Sequence, residues 1–379
     1  MQSERLLLIS PDYPPPFIGG SLVYINNLIE NSDLEFSILT EKGNRTSDKK
    51  KKYIESTYMI NSLKANNINM FGMYLFIAFY LLFNFRKFDL ITLNISAIGN
   101  GFFAFFLNLL NKKTTIISFA EELTLAMNSP GVKGCLKRLC LKGYKKASMN
   151  ISISNFAKDF QINKLDVKTP IHVIPTPVHS EKFYTNKENL KKNKEFLSVG
   201  RLIERKGHIL VLKAFRKILA VDSTLNLTII GDGPEYPRLI RYIEEKSLSK
   251  NVQIYRNVTD DFLRSQYQNH KIFILANLML KNGDCEGAPN VLIEAAAYGL
   301  PSIAGIEGGT SDVVENEKSG YLVDPRDTDN LAKVALKLIS DKEKLNEMSK
   351  YAIQKATFDH DKYKAGKTFR NHILDCIGN

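Results

Sequence analysis

Short apolar runs alternate along the chain with longer segments in which apolar residues recur every three or four positions. The first pattern predicts buried strands and the second predicts helices. Strands that alternate with helices favour βαβ units, so the pattern predicts an α/β fold with mainly parallel sheets. In the first half the predicted strands are residues 6–10, 36–40, 89–94, 114–118, 150–153 and 171–174, and the predicted helices are 21–29, 101–110 and 132–147.

The alternation stops near the middle of the chain and then starts again. Residues 175–194 are polar and begin with Pro175 and Pro177, which predicts a linker. We expect two α/β domains, residues 1–180 and 181–356, and a C-terminal helix in residues 357–379. After the linker the predicted strands are 196–200, 225–230, 252–255, 271–275 and 301–304, and the predicted helices follow Gly207 and Pro234 and cover 290–298, 328–356 (as two helices) and 359–377.

One apolar segment needs a separate interpretation. Residues 70–85 (MFGMYLFIAFYLLFNF) carry no charge, but they are fewer than the roughly 20 residues that a membrane-spanning helix needs. We interpret them as a buried helix or as a helix that dips partly into a membrane surface. The lysines of residues 49–52 predict a solvated loop.

Charge narrows the choice of partners. The 379 residues carry a net charge of +12, of which residues 1–190 contribute +8. Nucleic acid, an anionic membrane, a phosphorylated ligand or merely a lysine-rich surface would each account for this excess. The aromatic residues between 70 and 106 lie in Phe-rich runs without interleaved Arg, which disfavours stacking on nucleic acid. The basic segment 132–147 instead suits an anionic lipid surface or an ordinary exposed helix face.

Cysteine usage points to a reducing compartment. The four cysteines form no CxxC pair and no Cys/His cluster, so a zinc site is not expected. The first ten residues include Glu4 and only a short apolar run, which is unlike a signal peptide. A cytoplasmic protein is therefore expected, with peripheral attachment to the inner face of the cell membrane as an added hypothesis.

Two glutamates eight residues apart form the most informative motif. Glu286 precedes a predicted helix that begins near Asn290, and Glu294 lies one turn inside it. The unpaired N–H groups and positive dipole end of such a helix suit a phosphate, and the carboxylates suit sugar hydroxyls. Two glutamates at this spacing on a solvated helix are also common, so the motif depends on its context.

The context comes from the loops that follow other predicted strands. Arg201 and Lys206 follow the strand that ends at Gly200, and two cations at the end of a strand suit a diphosphate. The turn at 231–235 (GDGPE) and the segments 308–312 (GGTSD) and 319–323 (SGYLV) follow in order.

Together these motifs resemble those of the retaining glycosyltransferases of family 4, also described as glycosyl transferases group 1. The resemblance is specific over residues 196–324 and weaker over 1–190, where residues 14–20 (PPPFIGG) are similar to that family's N-terminal glycine loop. It implies a GT-B fold, in which two Rossmann-like α/β domains face each other across a cleft and a C-terminal helix crosses back to the first domain.

The resemblance also implies roles for individual residues. Arg201 and Lys206 would hold the donor diphosphate, Glu286 would contact the donor sugar near its anomeric carbon, and these three would form the catalytic set. Glu294 would bind the ribose hydroxyls. No metal and no cofactor are expected besides the UDP-sugar or GDP-sugar donor. Further donor contacts are implied for Gly19, Gly20, Gly287, Ala288, Pro289, Asn290, Val291 and Val258.

One position departs from the family pattern. Many members have a histidine in the first domain that touches the donor sugar, whereas residues 1–171 contain none and Phe119 stands in the matching stretch. Phe119 and the neighbouring Glu121 and Glu122 are candidates for contact with the sugar or acceptor. Alternatively, the two glutamates cap a helix or face solvent.

The sequence therefore predicts a retaining glycosyltransferase that moves a sugar from a nucleotide-diphosphate sugar to a glycan or lipid-linked acceptor in bacterial surface polysaccharide synthesis, lipopolysaccharide included. A non-hydrolysing sugar-nucleotide epimerase and a catalytically weak binding subunit are the alternatives. The expected partners are the donor, the acceptor and an anionic membrane surface, and nucleic acid is not expected.

Overall fold

The computed structural model describes residues 4–13, 20–41, 43, 47–56, 67–94, 100–178 and 193–378. The chain divides into two compact units, the first formed by Met1–Pro177 with Lys362–Asn379 and the second by Val178–Asp361. Most of the predicted linker and residues 14–19 of the predicted glycine loop lie outside the described residues.

The first unit is built on a seven-stranded parallel sheet in the order β3-β2-β1-β4-β5-β6-β7. Its central strands are apolar and fully buried because helices cover both faces of the sheet. The strands are β1 (Leu6–Ile9), β2 (Phe36–Glu41), β3 (Lys51–Ser56), β4 (Leu90–Asn94), β5 (Thr114–Ser118), β6 (Met149–Ser152) and β7 (Ile171–Val173).

The strand order decides which helices share a face of this sheet. Right-handed crossovers put the helices that precede β4 to β7 on one face and the helix between β1 and β2 on the other. The helices are α1 (Gly20–Glu30), α2 (Asn67–Asn84), α3 (Asn100–Leu109), α4 (Glu121–Asn128), α5 (Gly131–Cys140), α6 (Lys142–Lys146) and α7 (Asn155–Asn163).

The second unit repeats the design with a six-stranded parallel sheet in the order β10-β9-β8-β11-β12-β13. Two buried apolar clusters, one on each face, hold its helices to the sheet. Its strands are β8 (Lys194–Val199), β9 (Leu227–Ile230), β10 (Val252–Tyr255), β11 (His270–Leu275), β12 (Ser302–Gly305) and β13 (Gly320–Val323). Its helices are α8 (His208–Val221), α9 (Tyr236–Glu245), α10 (Asp260–Asn269), α11 (Asn290–Ala297), α12 (Thr310–Val313), α13 (Thr328–Ser340) and α14 (Lys342–Asp359).

The last helix, α15 (Lys362–Gly378), packs on the first unit, which confirms the expected return of the C-terminal helix. The ring of Phe369 stacks on that of Phe36, with the centroids 6.1 Å apart. Gly366 lies against the backbone of Asn31, where an added Cβ would come within 2.1 Å of the carbonyl oxygen. The Lys113 ammonium also donates to the carbonyl of Ile377 at 2.7 Å.

Three local predictions were wrong or incomplete. Strand β3 begins inside the lysine run predicted as a loop, because Lys51 pairs with Phe36 in the sheet and its ammonium binds the Glu30 carboxylate. The helix predicted over 132–147 is divided into α5 and α6, near the point where Gly143 meets the backbone of Gly101 without room for a Cβ. Strand β13 and helices α4, α7, α10 and α12 were not predicted, since such short elements carry too few apolar repeats to be recognised.

Substitution of Gly366 tests the packing of α15. We expect Gly366→Ala to lower the free energy of unfolding by about 1–3 kcal/mol, because the new methyl group must displace the Asn31 backbone. Gly378→Ala, in the same helix but with no atom near its added Cβ, should leave stability unchanged. Thermal unfolding measures both, and equal melting temperatures for the two variants would contradict the packing.

Candidate functional site

The predicted motifs meet at one edge of the second sheet. The loop 200–207 follows β8 and the loop 276–289 follows β11, and these two strands are neighbours. The strand order reverses between them, since β9 and β10 lie beyond β8 while β12 and β13 lie beyond β11. Ligands of open parallel sheets bind at such a point, outside the carboxyl ends of the strands.

A buried carboxylate joins the two loops. Glu286 is 7% exposed, and its Oε1 accepts from the Lys206 ammonium at 2.9 Å and from the Arg205 guanidinium. Burial alone would raise the pKa of Glu286, but the Lys206 and Arg205 charges outweigh burial and hold that pKa below its ordinary value. Glu286 is therefore an anion at neutral pH, aligned by two cations.

A second carboxylate orients one of those cations. The Nε of Arg205 lies 2.9 Å from Oδ1 of Asp284, so the guanidinium bridges Asp284 and Glu286. Burial raises the pKa of Asp284. The side chain of Arg205 is 8% exposed, and a guanidinium in such a site is held mainly by these two carboxylates.

The backbone brings the cations into this position. Glu204–Lys206 form one 3-10 turn, which ends at Gly207 with φ +68°. An added Cβ at Gly207 would lie 1.9 Å from the carbonyl oxygen of Ala276, so only glycine permits this approach. Beyond it, the amide of Leu278 donates to the carbonyl of Arg205 at 2.9 Å, which fastens the two loops together.

The start of α11 lies directly after Glu286. Pro289 precedes the helix with φ −70° and offers no side-chain cap, while its carbonyl accepts from the amide of Leu292 at 3.0 Å. The start of a helix favours an anionic group through its amides and its dipole. The carbonyl of Glu286 accepts from the amide of Gly309 at 2.8 Å, which ties the loop after β12 to the same point.

Glu294 lies one turn further along α11. The hydroxyl of Tyr267, from α10, donates to Oε2 of Glu294 at 2.8 Å. Burial raises the pKa of Glu294, and burial likewise raises that of Tyr267. Tyr267 in turn stacks on Tyr298 with the ring centroids 5.4 Å apart, so Glu294 is held by a packed aromatic pair.

Other predicted residues of the second unit lie around these groups. Arg201 is exposed in the same loop as Lys206. Val258 is half-buried just after β10, where Arg256 binds the Asp232 carboxylate at 2.7 Å and covers the ring of Tyr236. Of the remaining donor contacts, Gly287, Ala288, Pro289, Asn290 and Val291 all lie at the start of α11.

The first unit contains the remaining predicted contacts. Gly20 is exposed at the start of α1, and Gly19 lies outside the described residues. Phe119 meets Tyr24 edge-on with the ring centroids 5.6 Å apart. Ala120, next to it, has φ +78°, a conformation unusual for alanine.

Glu121 and Glu122 begin α4 and differ in burial. Oε1 of Glu122 accepts from the Ser118 hydroxyl at 2.8 Å, the Phe119 amide at 2.9 Å and the Tyr144 hydroxyl at 3.1 Å. Burial raises the pKa of Glu122. The Glu122 carboxylate therefore holds the residues that precede α4 and the Tyr144 hydroxyl, whereas Glu121 is half-buried. A contact of either glutamate with sugar or acceptor stays a prediction.

Sequence reasoning missed Arg205, Asp284, Tyr267 and His208. Nδ1 of His208 lies 3.1 Å from the Ser198 hydroxyl, and burial together with the Lys206 charge lowers the pKa of His208 to about 4. Lys206 therefore stands beside a neutral imidazole at neutral pH. No metal-binding group of three or more His, Cys, Asp or Glu side chains occurs in the part of the chain that the structure describes.

The fold matches known GT-B glycosyltransferases. A sucrose-phosphate synthase from Thermosynechococcus elongatus superposes with a TM-score of 0.80 over 99% of both chains at 17% identity. Anabaena HepE in complex with UDP superposes with a TM-score of 0.76, over 98% of this chain and 100% of that one, at 15% identity. The chain thus has the GT-B fold.

The second unit is similar to a known family. Residues 180–355 match the family model described as glycosyl transferases group 1. The amylovoran biosynthesis glycosyltransferase AmsK of Erwinia amylovora is 30% identical over 169 residues, 44% of this chain and 42% of the relative. A GDP-mannose-dependent phosphatidylinositol monomannoside mannosyltransferase of Mycobacterium tuberculosis is 29% identical over 147 residues, 38% of each chain. The chain thus covers less than half the length of these relatives.

Replacement of Arg205 tests the ion cluster. Arg205→Met removes the guanidinium that bridges the buried Glu286 and the partly buried Asp284, so we expect it to lower the free energy of unfolding by about 3 kcal/mol at pH 7. The folded-state pKa of Glu286 lies below its unfolded value, so the stabilisation from this pairing is present at neutral pH and lost as the pH falls toward that folded pKa. The deficit of Arg205→Met should therefore be smaller at pH 4 than at pH 7.

Arg201→Met provides the matched control for this measurement. It removes the exposed arginine of the same loop and should change stability by less than about 0.5 kcal/mol. Equal effects of the two substitutions in urea unfolding, or a deficit that does not depend on pH, would contradict the described pairing.

Proposed function

We propose that this protein is a glycosyltransferase that moves a sugar from a nucleotide-diphosphate sugar to a glycan or lipid-linked acceptor in surface polysaccharide or glycolipid synthesis. The buried Glu286 anion, aligned by Lys206 and Arg205 beside the start of α11, is the observation that carries the proposal. A carboxylate in this position accepts hydrogen bonds from sugar hydroxyls, and cations with free helix amides receive a diphosphate.

Separate groups of the site would receive separate parts of the donor. Arg201, which is exposed, and Lys206 would bind the diphosphate, while the amides of Gly287 to Val291 would contact sugar and phosphate. Glu294, oriented by Tyr267, would accept from the ribose hydroxyls. Gly19 and Gly20 of the first unit would approach the phosphates, and the backbone near Val258 would face the base.

The chemistry follows from the charges that develop during transfer. The bond from the anomeric carbon to the diphosphate breaks, so positive charge grows on the sugar and negative charge on the departing diphosphate. Arg201, Lys206 and the start of α11 would stabilise the leaving group, and Glu286 would stabilise the sugar. We also propose that the anomeric configuration is retained, with the departing phosphate accepting the acceptor's proton on the same face of the sugar. The proposed reaction needs no metal.

Names of related proteins agree with this substrate class but differ on the base. The structures of HepE contain UDP, UDP-glucose or UDP with glucose. The mycobacterial relative is named as GDP-mannose-dependent and acts on a phosphatidylinositol mannoside. Either base is therefore compatible with the proposal, and an acceptor at a cytoplasmic membrane surface agrees with the lipid-linked substrate of that relative.

Substitution of Arg201 tests the diphosphate site. We expect Arg201→Met to weaken binding of UDP or GDP by roughly ten-fold or more, because a charge-assisted hydrogen bond to phosphate is lost. Binding of the corresponding nucleoside, which carries no phosphate, should not change. Calorimetric titration measures both, and equal affinity of the wild type and Arg201→Met for the diphosphate would remove Arg201 from the site.

Substitution of Glu286 tests the transfer itself. Glu286→Gln keeps the size of the side chain but removes its charge, and we expect turnover of the donor to fall by about 100-fold or more. Glu343→Gln, an exposed glutamate of α14, is the matched control and should keep the wild-type rate. The assay follows nucleotide release and analyses the anomeric configuration of the product by NMR.

The same assay separates the alternatives. Nucleotide release or transfer by the wild type, lost in Glu286→Gln, supports the transferase. Conversion of a sugar nucleotide to its epimer without acceptor would instead support the epimerase. Nucleotide binding with no turnover of any donor would support a binding subunit. The presence of Phe119 in place of the histidine of the family pattern also favours that alternative. Wild-type turnover by Glu286→Gln would contradict the role of that carboxylate.

A further inference from the structure

Exposed apolar side chains are concentrated on one part of the first unit. Nineteen large apolar side chains are exposed among the described residues, and twelve of them lie on or directly after α2, α3 and α5. Scattered single residues of this kind are normal on a protein surface, whereas a contiguous group marks an interaction site. We name this group the three-helix surface: Phe71, Leu75, Phe79, Leu82, Phe83, Phe102, Phe106, Leu109, Leu110, Val132, Leu136 and Leu139.

Helix α2 is apolar on both sides. Met73, Ile77 and Leu81 enter the core, while the opposite stripe, which includes Phe79 and Leu82, faces solvent. The exposed stripe recurs every three or four residues and contains no polar side chain before Arg86. A surface helix of a water-soluble protein normally has charged or polar residues on this side.

Helices α3 and α5 continue the same surface. The rings of Tyr74 on α2 and Phe103 on α3 lie 6.2 Å apart, so these helices are neighbours. On its other side α3 approaches α5, where an added Cβ at Gly101 would lie 2.2 Å from the carbonyl oxygen of Cys140. All three helices cover the same face of the sheet, so their exposed stripes adjoin.

The region that bears this surface is strongly basic. Residues 67–146 contain ten Lys or Arg but only three Asp or Glu, a net charge of +7. Of the three acids, Asp89 is paired with Arg5 and Glu122 is buried in its own hydrogen bonds. The basic side chains Arg86, Lys87, Lys142, Lys145 and Lys146 are exposed at the ends of α2 and on α6.

We propose that the three-helix surface inserts its phenylalanine and leucine side chains into the interface of an anionic lipid bilayer. The interface of an anionic bilayer binds apolar stripes that are bordered by cations. The acyl chains contact the apolar side chains, and the phosphate headgroups bind the cations. A second copy of the chain fits less well, because a symmetric contact would bring together two copies of a segment whose net charge is +7. No helix of the described residues is long and apolar enough to cross a membrane.

The inference deepens the proposed function, because it locates the side of the protein that meets a lipid-linked acceptor. Its biological purpose rests on the proposed function, whereas the membrane attachment does not. A lipid-linked acceptor lies in the plane of the membrane, so an enzyme that inserts beside it meets it at a high local concentration. The attachment itself requires neither donor nor turnover, so it is measured separately.

Vesicle flotation tests the proposal. The full chain should bind vesicles that contain phosphatidylglycerol, and phosphatidylcholine vesicles much less. The double variant Phe79→Gln with Leu82→Gln should bind the anionic vesicles about ten-fold or more weakly, because it removes inserted apolar area. Lys142→Gln with Lys146→Gln should also weaken binding roughly ten-fold at low salt, and its loss should diminish at high salt.

Val221→Gln is the matched control, since Val221 is an apolar residue of the second unit with 73% exposure. It should bind vesicles as the wild type does. Absence of wild-type binding to anionic vesicles, or equal binding by the Phe79/Leu82 double variant, would overturn the proposal. The proposal would also be overturned if the wild type does not bind vesicles but forms a dimer, and the Phe79/Leu82 double variant is a monomer.

Nucleotide titration of the same variants separates this inference from the function. The Phe79/Leu82 double variant should bind UDP or GDP as the wild type does, because its substitutions are confined to the first unit's exposed surface. Loss of nucleotide binding by this variant would show that the substitutions perturb the fold, and the single variant Phe71→Gln then repeats the flotation test. Vesicle binding without any nucleotide binding would contradict the function alone.

Discussion

The buried carboxylate of Glu286 is the constraint on which the architecture of the second unit's site depends. An ionised carboxylate withdrawn from water is stable only if cations and hydrogen bonds replace the solvent. Arg205 and Lys206 supply the cations, and both come from a different loop. That loop reaches Glu286 only because Gly207 adopts a left-handed conformation against the backbone of Ala276. A single charge thus explains why the loops after β8 and β11 are joined so closely.

The same constraint extends to the third loop and to the chemistry. The amide of Gly309 donates to the carbonyl of Glu286, so the backbone of Glu286 fixes the loop after β12. The side chain of the same residue binds the loop after β8. A site whose polar groups are already oriented loses little free energy when charge develops in it. Arg205 bridges Asp284 and Glu286, whereas Lys206 is paired with Glu286. The two adjacent cations are buried to the same extent and differ in their partners.

The sequence predicted the two parallel sheets and most of their strands, because apolar periodicity reports on local structure directly, but it did not predict β3 and β13. Lys206 is paired with Glu286, and Glu294 lies on the helix that follows Glu286. Arg205 could not be distinguished from an exposed basic residue, since only the register of the 3-10 turn decides which side chains of residues 204–206 point inward. Tyr267 is distant in sequence from its partner Glu294, and Asp284 belongs to no motif that the sequence analysis used. Only the packing brings each to its partner. The segment 70–85 contained the right helix, yet its division into a buried and an exposed stripe depended on the sheet beneath it.

The phenylalanine at position 119 changes which polar groups the first unit offers at this point. A phenylalanine ring offers no hydrogen-bond donor, and the edge of Tyr24 occupies one side of it. The nearest acid, Glu122, already accepts three hydrogen bonds at one oxygen and holds the start of α4. At this point the first unit therefore presents an apolar ring and a carboxylate that is already hydrogen-bonded, whereas the ion pairs of Arg205 and Lys206 with Asp284 and Glu286 lie in the second unit. The proposed donor site therefore relies on the second unit for its charged groups.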